Sequence, residues 1–126
     1  MTELEMLTLA AKAVGITIVR SRLDDPLQRD MLVQNSARKP TQPTGPWNPR
    51  EDDGDALRLA VKLYFNVNVF TPIDDETDHY PGFVEIWREG EDDPLITGYF
   101  KHPEERYATT RLAISLAAAQ IGKDMP

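Results

Sequence analysis

The chain has 126 residues, 40% of them hydrophobic and 28% charged, which is ordinary globular usage and room for one core, so a single domain over residues 1–126 is expected. It has no cysteine, which excludes disulfides, thiolate metal sites and cysteine nucleophiles and fits a reducing, cytoplasmic setting. The formal net charge is −7, and it arises wholly after residue 63, where five Lys/Arg face twelve Asp/Glu; an excess of that sign repels phosphate backbones, so no direct nucleic-acid binding is expected.

The first segment carries both of its ends. Thr2 with Glu5 has the spacing of a capping box, Leu4, Leu7, Ala11 and Val14 recur at helical intervals, and Gly15 suits the left-handed residue after the last turn. A helix over about 3–14 follows. The acids at Glu3 and Glu5 stand where a signal peptide is basic, and no run of about 18 apolar residues exists, so neither export nor a membrane span is expected. Ile16-Thr17-Ile18-Val19 and Met31-Leu32-Val33-Gln34 are short β-branched or apolar runs flanking the turn-rich Asp24-Asp25-Pro26, and read as a hairpin.

From about 35 to 49 the chain turns proline-rich, with Pro40, Pro43, Pro46 and Pro49. Each removes a donor and restricts its predecessor, so an extended loop is predicted there. Asn48, followed by Pro49 and by Glu51 three residues on, is the expected cap of a second helix running to about Tyr64. Phe65 to Phe70 then alternates, with Phe65, Val67 and Val69 on one face and Asn66 and Asn68 on the other. Phe83–Trp87 and Leu95–Phe100 form a further hairpin across an acidic turn with Gly90. Pro103-Glu104-Glu105 opens an alanine-rich last helix, which Gly122 is expected to end.

This order predicts an α+β domain of layered helix–sheet–helix type, three helices around a four- or five-stranded, mainly antiparallel sheet. The period-matched faces put Leu7, Ala11, Leu57, Val61, Val67, Val69, Ile86, Leu112 and Leu116 in the core.

The residues that could carry chemistry are few. Asp52-Asp53-Gly54-Asp55 lacks the alternating ligand positions of a calcium loop and suits helix capping and dipole compensation better than a metal. His79 and His102 are the only histidines, and Ser21, Ser36 and Ser115 sit in no nucleophile setting. No glycine-rich phosphate loop is present. Catalysis and cofactors are therefore not expected.

Two features suit binding instead. Asp74, Asp75, Glu76 and Asp78, then Glu89, Glu91, Asp92 and Asp93, form two acidic clusters about a strand, apt to steer a basic partner or to mimic a phosphate backbone, or simply to keep the protein soluble. Trp47 in the proline loop is either an exposed recognition anchor or a buried pin for the loop, and its place before the second helix favours burial. Arg20, Arg22, Arg29, Arg38, Lys39 and Arg50 would make an anion site if they converged.

Trp47-Asn48-Pro49, the run Asp52 to Leu63, the stretches Tyr107–Ile114 and Ala117–Gly122, and the opening Leu9–Gly15 together resemble small phage and prophage proteins of the ABA-sandwich type. The resemblance implies helix–sheet–helix layering and a phage origin, and brings no activity and no catalytic residues; the long proline loop and the acidic stretch 74–93 depart from it. The expected function is that of a phage or prophage accessory protein that binds a host or phage protein of basic surface. A small-anion or nucleotide-binding protein and an acidic DNA-mimic inhibitor are the alternatives.

Overall fold

The computed structural model describes residues 1–16, 18–20, 32–35, 43–70 and 82–126. It is an α+β protein whose described elements are α1 (Glu3–Val14), β1 (Ile18–Arg20), β2 (Leu32–Asn35), β3 (Pro43–Pro46), α2 (Asp53–Lys62), β4 (Phe65–Phe70), β5 (Gly82–Arg88), β6 (Ile96–Phe100), a single 3-10 turn at Pro103–Glu105, and α3 (Arg106–Asp124).

The start of α1 is the capping box its sequence spells. Thr2 Oγ1 accepts from the Glu5 amide at 3.1 Å, Glu5 Oε2 accepts from the Thr2 amide at 3.3 Å, and Gly15 closes the far end at φ 71°. The helix buries Met6, Leu7, Ala10, Ala11 and Val14 and leaves Leu4 exposed.

The six strands form two three-stranded antiparallel sheets, ordered β1-β2-β3 and β4-β5-β6, rather than one sheet of four or five. The expected hairpin is present as β1 against β2, with Val19 opposite Val33. What the sequence reading missed is β3, a strand inside the proline-rich stretch, pairing Val33 with Pro46 and Asn35 with Pro43 across a register shift. Prolines cannot donate to a further neighbour, and among the described strands β3 stands at the sheet's edge.

The second sheet is regular. β4 pairs with β5 over all six residues, Phe65 opposite Arg88 through Phe70 opposite Phe83, and β6 continues from Gly82 opposite Phe100 to Ile86 opposite Ile96. One face carries Val84, Ile86 and Phe100, all buried. α3 lies against this sheet and also packs on α1 and α2. Contacts on several sides explain why it buries Ala113, Ile114, Ser115, Ala117, Ala118, Ala119 and Gly122. Gly122 does not end the helix, which continues to Asp124.

Of the expected core, Leu7, Ala11 and Ile86 are buried, and Val67, Leu112 and Leu116 pack partly buried against it. Leu57, Val61 and Val69 are exposed. The error lies mainly in the rotation of α2, which is apolar on two sides. It buries Asp55, Ala56, Leu59 and Ala60, where two alanines let its backbone come close to a neighbouring helix, and turns the larger Leu57 and Val61 outward.

Candidate functional site

The segment leading into α2 is built for structure. Trp47 is only 3% exposed and belongs to the main core cluster, so it pins the chain from beneath instead of standing on the surface. Asn48 is not the helix cap: its Oδ1 accepts from the Arg50 amide at 3.0 Å, and Asp52 takes the capping role, accepting from Gly54 and Asp55 amides at 2.7 and 3.2 Å. The physical reason is that Asn48 O receives the amides of Glu51 and Asp52 in a separate turn before the helix begins.

The remaining carboxylates of this cluster also have protein partners. Asp53 meets Arg111 Nη1 at 2.7 Å, and buried Asp55 accepts from the Asn48 amide at 2.9 Å and from Arg58 at 2.6 Å. Among the described residues no group of three or more His, Asp or Glu is arranged to hold a metal ion. Of the first-half cations, Arg50 pairs with Glu3 at 3.2 Å; Arg22, Arg29, Arg38 and Lys39 lie outside the described residues, as does the side chain of Arg20. His102 is exposed ahead of the 3-10 turn.

Asp74, Asp75, Glu76 and Asp78 lie outside the described residues, with His79. Glu91, Asp92 and Asp93 are exposed in the turn between β5 and β6, where Gly90 adopts φ 86° and the Glu91 amide donates to Arg88 O. Trp47 and this acidic turn are therefore not one site, since the former is buried.

Beside the turn is a face that the sequence reading did not assemble. The register sends Asn66, Asn68 and Phe70 of β4, Phe83, Glu85 and Trp87 of β5, and Thr97 and Tyr99 of β6 to the side of the sheet opposite Val84 and Ile86. Phe70 stacks on Phe83 with centroids 4.5 Å apart, and Phe83 meets Tyr99 at 6.3 Å, giving an aromatic row across all three strands. Phe70 and Tyr99 remain exposed, and among the described residues no helix covers this face. Toward the acidic turn, Phe65 to Asn68 of β4 with Trp87, Arg88, Glu89, Gly90 and Glu91 line a shallow, mostly polar hollow of about 580 Å³. The signal was available: Phe83, Glu85 and Trp87 alternate with buried residues, and pairing the two alternating strands would have aligned the rings.

A hollow lined by Trp87, two asparagines and two glutamates beside Arg88 is suited to a cationic side chain, whose hydrogen bonds the carboxylates can accept.

A second concavity lies on the opposite side of the sheet. Ala56, Leu57 and Ala60 of α2, Val67 and Val69 of β4, and Tyr107, Thr110, Arg111 and Ile114 of α3 are among the residues that line a mainly apolar groove of about 510 Å³.

No helix among the described residues is long and apolar enough to cross a membrane. No protein-family model, curated protein or solved structure matches this chain.

Proposed function

We propose that this protein acts by binding, without catalysis, a partner protein that presents a basic surface, and that the outer face of β4-β5-β6 is where the partner docks. The observation that carries the reading is the hollow formed by Trp87, Glu89, Glu91 and the two asparagines, continuous along the face with the Phe70–Phe83–Tyr99 row. Aromatic anchors beside carboxylates suit a partner that interleaves Arg or Lys with apolar residues. The exposed acids at Glu91, Asp92 and Asp93 add attraction at longer range, which raises the rate of encounter. A phage or prophage setting, a cytoplasmic location and helix–sheet–helix layering belong to the same proposal and rest on the sequence resemblance and composition.

The test is titration with a synthetic peptide alternating arginine and leucine, read by quenching of Trp87 emission with Trp47→Phe as the background. Binding is expected at 50 mM salt and to weaken at least tenfold at 0.5 M, where the Debye length falls to roughly 4 Å. Glu89→Gln with Glu91→Gln should weaken it, whereas Glu104→Gln with Asp124→Asn, equal in charge but on other elements, should not. Equal losses from both pairs would mean that net charge alone attracts the peptide, and would overturn the site.

A further inference from the structure

We infer that the chain also self-associates, two copies pairing their β4 strands antiparallel about a twofold axis with the α2 helices meeting beside them. β4 is an edge strand, ordered β4-β5-β6, with no partner on its other side among the described residues. Exposed edges are commonly blunted by charge, proline or a bulge. Phe65-Asn66-Val67-Asn68-Val69-Phe70 has neither charge nor proline, and it holds unbroken register with β5.

The strand is also complementary to itself. With the axis at Asn68, antiparallel pairing sets Asn68 against its own counterpart, Val67 against Val69 and Asn66 against Phe70 between the two copies, so the valines share one face and the asparagines and Phe70 the other. α2 presents Leu57 and Val61, at helical positions i and i+4 and exposed by 62% and 66%, and Tyr64, just past the end of the helix, is exposed by 81%. Because Leu57 lines the same groove as Val67 and Val69, the twofold brings both stripes to one side of the joined sheet. Contiguous exposed apolar surface of this kind marks an interface.

A second copy is the occupant because the strand is its own complement, and charge does not oppose it. No Asp or Glu occurs between Ala56 and Phe70, although the chain carries 21 in all, and of the two cations in that stretch Arg58 is paired with Asp55 of its own chain, so Lys62 is the like charge each copy brings. Tyr64 adds a further sign. It is the one non-glycine residue with positive φ, 58°, among those described, a conformation unfavourable for an L-residue, and its ring gains little burial within one chain.

Sedimentation equilibrium on the full chain at about 100 µM, above a dissociation constant of order 10 µM, should give an average mass approaching twice the 14.3 kDa chain mass. Raising salt should tighten the dimer by screening the net charge, the reverse of its effect on the arginine–leucine peptide, so this inference and the preceding one fail separately. Asn68→Lys and Leu57→Lys, both at exposed positions, should each raise the dissociation constant at least tenfold with the far-UV spectrum unchanged. Asn68→Cys, the only cysteine in that variant, should oxidise to a covalent dimer. A single species of one chain mass at both salts would overturn the inference, as would a dimer indifferent to both lysine substitutions.

Discussion

A β-carbon added at Gly122 would collide with the carbonyl oxygen of Leu9, placing α3 and α1 in backbone contact at that point. Alanines at 10, 117, 118 and 119 are buried in the same core, and small residues of this kind are what permit helices to approach so closely. Gly122→Ala should therefore destabilise the protein although alanine favours a helix by about 1 kcal/mol. Overpacking typically costs about 1–3 kcal/mol, more where backbone must move, and outweighs that gain. A lower urea midpoint checks it; a raised one would mean the helices part freely.

Asp55 and Arg58 make one ion pair but should respond unequally to mutation. Asp55 is buried and also accepts from the Asn48 amide, so Asp55→Ala strands a donor and should cost about 1–3 kcal/mol. Arg58 has a side chain 71% exposed, against 5% for Asp55, so Arg58→Ala leaves the carboxylate its Asn48 bond and should cost about 1 kcal/mol, less than Asp55→Ala. Asp55→Asn keeps an acceptor for Asn48 and should fall between them. Thermal melts of the three variants give the ranking.

The local signals were the ones legible in the sequence. Thr2, Glu5 and Gly15 act within one turn of the chain, and the α1 ends follow from them directly. The alternation of Phe65 to Phe70 likewise gives β4. Nonlocal relations were not legible. Whether Leu57 or Leu59 of α2 faces inward depends on how near α3 lies, and the alanines at 56 and 60 that decide it look like neutral helix formers when read alone. Phe70, Phe83 and Tyr99 are far apart in sequence and become a row only through strand register. The acidic turn was visible as composition, but the Trp87 hollow beside it needed that same register.

The rotation of α2 gives a direct comparison. Leu59 is 2% exposed, and Leu59→Ala should cost about 2–5 kcal/mol, as for a buried leucine. Leu57→Ala, measured at protein concentrations low enough to keep the chain monomeric, should lie within about 0.5 kcal/mol of the parent. Equal losses at the two positions would reverse the assignment of the buried face.

Trp47 decides what the proline-rich approach to α2 is for. Buried in the cluster that also contains Met6, Leu59 and Ile86, it should cost about 3–5 kcal/mol on replacement by alanine, a large part of the ~5–15 kcal/mol that holds a domain together. The variant should melt far below the parent. An unmoved urea midpoint would instead make residues 40–50 a recognition surface.

Tyr64 should separate stability from association. It follows the α2 terminus at Leu63, its amide donating to Val61 O at 3.3 Å, in the left-handed position that glycine most often fills. With the ring 81% exposed, Tyr64→Gly removes little packing within the chain. Relief of the positive φ, less the greater entropy that glycine loses on folding, should raise monomer stability by about 0.5–1 kcal/mol. The same change removes a large exposed ring from the surface just past α2, so the dimer should weaken while the monomer gains. Urea titration at low protein concentration reads the first effect and sedimentation at high concentration the second. A variant less stable as a monomer would show that the tyrosine is held by contacts within its own chain, and would remove Tyr64 from the argument for an interface.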